Sequence, residues 1–534
     1  MQSALHKQLP SADEVAALST MQVVELVVKQ AQTIDSQAQT IGSLQHQLDW
    51  FKRQLFGSKS ERAITLPNAQ QLNLMEIVAD APPADDRRKT VAAHTRRTPT
   101  RDAAAEGEAL PFFDESRVPV ETIRLPVTEL DGLCADQVEV IGEKTSYRLA
   151  QRPGSYVVLK YVRPVVKRRD DQTIHCAPAP VGVIEGSRAD VSFVAGMLLD
   201  KIGYHLPLYR QHQRLTDAGI RVSRPWLTQL AQQGAGLLQP IYEAQLASIR
   251  GSRVIAMDET PIKAGRAGPG KLKATFYWPV YGEQDEVCFP WFPSRAAEHV
   301  YRALGKTPAQ GAVLLSDGYQ AYKQYAEKTG ISHAQCWAHT RRGFFDAQAI
   351  EPEASGEALQ HIGALYALEA SIRERKLAGE DKRMYRLLHG KPIVDTFFDW
   401  IDRQFERQGM LPSNPLTQAL AYARERRAGL EIFLTDPDVA IDTNHLERAL
   451  RAIPMGRRSW LFCWTELGAR HVGIVQSLLA TCRLHGIDPY TYLVDVLQRV
   501  GQHPAARVAE LTPRLWKQHF AGNPLRSDLH SLSP

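Results

Sequence analysis

The sequence predicts a multidomain α+β protein: a mixed α/β core split by a helical insertion, preceded by a coiled coil, a small β-rich module and a helical region. Three observations predict it. Val27, Ile34, Ile41, Leu48 and Leu55 recur every seven residues. Residues 118–182 and 253–339 carry short β-branched and aromatic runs separated by turn residues. Residues 347–437 are patterned as helices, as in Ile362, Leu365, Leu368 and Ile372. At ~150 residues per domain, 534 residues imply three or four units.

Composition narrows the class. A net charge of +5 and a pI near 8.7 permit a polyanionic partner without demanding one. Six scattered cysteines without a CxxC pair argue against a disulfide scaffold and for a reducing cytoplasm. No signal-peptide pattern and no run of eighteen apolar residues is present, so a soluble protein without membrane contact is expected.

In chain order, residues 1–60 form the coiled coil, whose seam has value only against a partner helix. Residues 61–117 are a linker with a basic arm: Arg87 to Arg101 holds six basic residues and no acidic one. The β-rich module spans 118–182. It contains Cys134, His175 and Cys176, too few and too scattered for the four close ligands of structural zinc, so zinc is not expected. Residues 183–250 read as helices resembling a helix-turn-helix, with Ser223 as cap, Pro225 in the first turn, and Arg210, Arg214, Arg221 and Arg224 as its charge. Any two helices joined by glycine look like this, so a packing role competes with DNA binding.

The first part of the core, 251–346, reads as strand 253–257, strand 275–281, strand 286–292, a helix, strand 312–316, a helix, and a fifth strand 333–339. Three meandering strands followed by strands alternating with helices describe a ribonuclease-H-like α/β topology. A helical insertion covers 347–440, the core resumes over 441–500, and residues 501–534 form a polar tail with Trp516.

Three acids stand out. Asp258 and Asp317 each end an apolar strand, and adjacency of strands one and four brings them together. Glu447 lies on a helix running from a cap at Asp442 or Thr443 to Ile453, where Pro454 ends it and a Gly-Arg-Arg turn follows. Asn444, Glu447, Arg448 and Arg451 share one helix face, and Leu446, Leu450 and Ile453 the other. Each acid alone is more simply structural, as an exposed i, i+4 pair or a turn residue. Together they suit Mg²⁺, with Mn²⁺ as substitute, for in-line displacement at phosphorus. Arg448, Arg451, Arg457 and Arg458 are then candidate phosphate contacts. Cys336 and His339 have the spacing of half a zinc site without a second half; a core pair is preferred, with His339, Cys336 and Asn444 supporting the acids.

Asp-Glu-Thr-Pro at 258–261, Ser-Asp-Gly-Tyr at 316–319, His-Ala-Gln-Cys-Trp-Ala-His-Thr-Arg-Arg at 333–342, Asn-His-Leu-Glu-Arg-Ala-Leu-Arg at 444–451 and Gly-Arg-Arg-Ser-Trp-Leu-Phe-Cys at 456–463 resemble the DDE transposases of the insertion sequence 66 family. So do Leu-Phe-Gly-Ser-Lys-Ser-Glu-Arg at 55–62, His-Leu-Pro-Leu-Tyr-Arg-Gln at 205–211, His-Gly-Ile-Asp-Pro-Tyr-Thr-Tyr-Leu at 485–493 and Leu-Thr-Pro-Arg-Leu-Trp-Lys at 511–517. The resemblance implies that Asp258, Asp317 and Glu447 are the DDE triad, that the coiled coil serves assembly, and that small accessory proteins come from the same element. The chain departs from the family in lacking its two CxxC pairs. The function implied is cleavage at the terminal inverted repeats and 3′-hydroxyl transfer into target DNA, in a cytoplasmic, nucleoid-associated setting. The rivals are a resolvase-like nuclease that never joins and a non-catalytic DNA-binding repressor.

Overall fold

The computed structural model describes residues 19, 21–24, 27–34, 112–127, 138–152, 154–406, 411–460, 463 and 465–531. Two units are distinguished, residues 1–109 and 110–534. In the first, residues 21–24 and 27–34 are helical, and Val27 and Ile34 of the heptad seam are 57% and 65% exposed. Ile41, Leu48, Leu55, the basic arm and Cys134 lie outside the described residues.

The second unit begins with strands β1 (Val120–Arg124), β2 (Val138–Arg152), β3 (Ser155–Arg168) and β4 (Ile174–Cys176). β2 and β3 form a long antiparallel hairpin, closed at Gly154, whose φ of 85° favours glycine. β1 runs parallel to β3, and β4 pairs β3 antiparallel. Helices Val191–Leu198, Leu208–Asp217, Arg224–Leu237 and Gln239–Arg250 follow. Ser223 caps the third by accepting from Trp226 N at 3.3 Å, with Pro225 in its first turn, as the spacing predicts. Gly219, at φ 88°, makes the turn before it.

The five-stranded sheet contains β5 (Val254–Met257), β8 (Val280–Gly282), β9 (Glu286–Cys288), β11 (Val313–Ser316) and β12 (Ser332–Gln335), in spatial order β12-β11-β5-β8-β9. β5, β8 and β9 meander antiparallel, whereas β11 and β12 run parallel to β5. Three expectations need correction. The strands expected at 275–281 and 286–292 each break at a proline, Pro279 and Pro290, which cannot donate to a ladder. Their outer halves, β7 (Lys271–Tyr277) and β10 (Trp291–Phe292), join β6 (Thr260–Gly268) in a second sheet that the sequence reading missed. The fifth strand stops at Gln335: Cys336 is the N-cap of helix Trp337–Ala347, so His339 is helical.

Helices cover both faces of the main sheet. Pro352–Glu374, Gly379–Tyr385, Lys391–Glu406, Pro415–Glu425 and Arg427–Thr435 form the insertion. At its centre the fully buried Arg386 makes a bidentate pair with Glu369, at 2.7 and 2.9 Å. Arg386 Nη1 also donates to the carbonyls of Phe433, Asp436 and Val439 at 2.7, 3.1 and 3.0 Å. The buried helix Glu466–Leu484 joins two cores, giving Val472 and Ala480 to one and Val475, Leu478 and Leu479 to the other. The expected polar tail is instead folded back: Trp516 is buried and donates to Asp495 at 2.9 Å, and Ser527 donates to Asp190 at 2.6 Å. Leu511, Trp516 and Leu529 are buried, and they are too widely spaced to show a period in the sequence.

Candidate active site

Strand alternation decides which side chains can meet. Along β5, Ile255 and Met257 pack on one face with Trp278 and Tyr322. Ala256 packs on the other, in the cluster that holds Val313 and Leu315 of β11 and Leu446 and Leu450 of helix Asn444–Leu450. Carried on, the alternation assigns Asp258 and Asp317 to the face of that helix and Glu259 to the opposite one. Parallel pairing of Leu315 with Ala256 brings the two aspartates to neighbouring strand ends, roughly 5 Å apart along the hydrogen-bonding direction. Burial first, then the charges of Glu259 and Asp317, hold the Asp258 carboxyl well above the usual carboxylate range.

Each carboxylate is held from behind. Asp258 Oδ1 accepts from Glu259 N at 2.7 Å, and Asp317 Oδ1 from Tyr319 N at 2.9 Å. Gly318 is required where it stands, because a Cβ would meet Arg426 Nε at 2.4 Å and Tyr422 at 2.7 Å. Tyr422 donates to Gly318 no bond but accepts from its N–H at 3.0 Å, so the insertion clamps the Asp317 turn. On the far face, Glu259 pairs with Arg295 and accepts from Tyr322 Oη at 2.6 Å. Neither support has a signal in the linear sequence, since the partners lie on distant elements.

Glu447 is positioned by the segment before its helix. Trp337 N donates to Ile441 O at 3.1 Å, and Cys336 Sγ lies 3.3 Å from both Thr443 Oγ1 and Thr443 N. The Cys336 thiol is thereby used in the core, and burial raises its pKa. Asp442 rather than Thr443 supplies the capping oxygens, accepting from Asn444 N at 3.0 Å and Nδ2 at 2.5 Å. His339 Nε2 lies 3.9 Å from Glu447 Oε1. His339 Nδ1 is buried without a hydrogen-bond partner.

The helix does not run to Ile453. It ends at Leu450, and Pro454 falls in the first turn of a second helix, Ala452–Trp460, in place of the expected Gly-Arg-Arg turn. Proline has no N–H for the Leu450 carbonyl, so the ladder breaks a turn upstream of it, while its fixed φ suits a helix start. Asn444 and Glu447 are half-buried, Arg448 and Arg451 exposed, and Leu446, Leu450 and Ile453 buried.

Other arginines of interest are placed differently. Arg457 Nη1 donates to the Pro261 carbonyl, and the Arg458 side chain lies outside the described residues. Arg214 donates to Tyr156 Oη at 2.7 Å and pairs with Asp200 at 2.5 Å. Arg224 lies over the Tyr209 ring at 5.9 Å, and Arg210 and Arg221 are exposed.

Among the described residues no three His, Cys, Asp or Glu side chains are gathered closely enough to enclose an ion. The donor chemistry nevertheless fits a hard cation: two carboxylates at adjacent strand ends suit Mg²⁺, which binds through one or two carboxylates plus phosphate and water.

Residues 186–471 match the family model described as Transposase IS66 family, and 477–514 match the IS66 C-terminal element. Residues 43–111 match the model described as Transposase C of IS166 homeodomain. Three proteins of Sinorhizobium fredii (strain NBRC 101917 / NGR234) are similar over much of their length. Uncharacterized protein y4hP is 28% identical over 516 residues, covering 90% of each chain. Uncharacterized protein y4jD is 27% identical over 523 residues, 92% of this chain and 98% of its own. Uncharacterized protein y4qI is 31% identical over 414 residues, 74% of this chain and 75% of its own. The first family match spans more than half of the chain and contains Asp258, Asp317 and Glu447, and this chain belongs to the IS66 transposase family.

Proposed function

We propose that this transposase binds the terminal inverted repeats of its own element, cleaves at the ends and joins the freed 3′-hydroxyl to target DNA. The carrying observation is the pairing of the strands that end in Asp258 and Asp317, on the sheet face covered by the helix that carries Glu447. The strand order, with three antiparallel strands and two more parallel to the first, supports a ribonuclease-H-like core.

Asp258 and Asp317 would hold Mg²⁺ or Mn²⁺, with Glu447 as the third acid. The ion supplies activation of the attacking oxygen and stabilisation of the leaving one. The chain's own residues orient and hold charge: Tyr319 N–H and Gly318 fix Asp317, His339 stands beside Glu447, and exposed Arg448 and Arg451 contact phosphate. Self-association through the N-terminal heptads and small accessory proteins of the same element complete the proposed assembly.

The test is one gel. Full-length protein is incubated with a labelled end fragment and a plasmid in Mg²⁺, where cut ends and joined products are expected. Cutting without joining would replace this reading with a resolvase-like nuclease, and binding indifferent to EDTA without cutting would replace it with a repressor.

A further inference from the structure

A groove of about 370 Å³ opens beside Glu447, between helices Trp337–Ala347 and Asn444–Leu450. One wall is a helix face carrying Arg341, Arg342 and Phe345, spaced three and four apart. The opposite face of that helix, with Trp337, Thr340, Phe344 and Ala347, is buried. Phe345 is 56% exposed, and the Arg341 guanidinium lies over its ring at 6.0 Å. Among the described residues, no hydrogen bond or ion pair engages the guanidinium of Arg341 or Arg342.

The ring of Phe345, exposed one helical turn from two such arginines and beside the groove wall of Glu447, adds little to the core. A ligand with regularly spaced negative charges and flat apolar faces uses all three. Single-stranded nucleic acid has both, whereas a duplex hides its base faces by stacking. The geometry points to this groove as the seat of an unpaired DNA strand flanking the scissile phosphate, with Phe345 stacked on a base and Arg341 and Arg342 on the backbone. This rests on the proposed function and adds to it an open strand at the cleavage site.

The test uses full-length protein and a terminal-repeat duplex carrying a short unpaired overhang with 2-aminopurine at successive positions, in Ca²⁺ so that stacking is read without cleavage. With wild type, fluorescence is expected to be quenched at one position, and the overhung duplex to bind more tightly than the blunt one. Phe345→Ala should abolish the quenching and weaken overhang binding about tenfold, within the range for loss of one base-stacking contact, while Phe345→Trp should retain both. Arg341→Ala with Arg342→Ala should lower the salt slope for the overhung duplex by about one to two. Unchanged quenching in Phe345→Ala, or equal wild-type affinity for blunt and overhung duplexes, would overturn the assignment. An inactive wild type in Mg²⁺ would sink the transposase reading and leave the fluorescence to decide the groove, so the two failures are separable.

Discussion

At the scale of single residues, half-buried His333 and fully buried Arg386 carry consequences that solution measurements can read. Burial first, then the positive charges of Arg426 and Lys323, hold His333 down to about 4. Its Nε2 lies 2.8 Å from Ser316 Oγ, so the neutral imidazole is built into the β11–β12 edge. With the folded value below the unfolded one of about 6.5, the unfolded chain takes up the proton first as pH falls. Its contribution is therefore complete above about pH 6.5 and is lost progressively toward about pH 4, by at most about 3 kcal/mol. Thermal midpoints measured from pH 7.5 to 4.5 should fall less steeply for His333→Gln than for wild type; parallel curves would remove His333 from the acid response. Arg386 is the second group. Arg386→Met strands the buried Glu369 carboxylate and should cost about 3–5 kcal/mol, whereas adding Glu369→Leu should restore much of it. Denaturant midpoints of the single and double variants check this, and a double variant no more stable than Arg386→Met would show that the stranded Glu369 carboxylate is not the source of the loss.

At the scale of elements, the helix of Glu447 divides its arginines. Arg448 and Arg451 project into solvent, while Arg457 is spent on the Pro261 carbonyl. Arg448→Ala with Arg451→Ala should flatten the salt dependence of DNA binding by about one to two units in slope. Arg457→Ala should instead lower thermal stability with the slope intact, and the reverse pattern would contradict this division. The same elements show what a sequence can reveal. Asp258, Asp317 and the apolar face of Leu446, Leu450 and Ile453 were legible because alternation and helical spacing leave a periodic trace. The breaks at Pro279 and Pro290 were missed and the one at Pro454 was misplaced, because proline tells where a ladder fails, while the direction of the next element depends on tertiary partners. Strand β6 was missed because its buried positions after Ile262 are Ala264 and Gly265, too small to register as an apolar alternation. The clamp of Tyr422 and Arg426 on Gly318 spans more than a hundred residues and leaves no local pattern.

At the scale of the whole molecule, the chain combines a half-buried group of acids with an N-terminal segment whose described helical residues leave Val24, Val27, Val28 and Ile34 exposed. Apolar heptad positions in solvent have value against a partner helix. Deleting residues 1–56 should lower the mass measured by light scattering to that of a smaller assembly while leaving the far-ultraviolet circular dichroism of the remainder folded. An unchanged number of subunits would refute assembly through this segment. On the proposed function, Asp258, Asp317 and Glu447 form one site for cutting and joining DNA. Strand transfer of a labelled end into plasmid, measured in Mg²⁺ for Asp258→Asn, Asp317→Asn and Glu447→Gln, tests it most directly. Each variant should bind the end with near wild-type affinity and yield no cut or joined product, because removing any one of three groups that act together removes the step. A variant that binds and still transfers at a near wild-type rate would remove that residue from the site and end the three-acid reading.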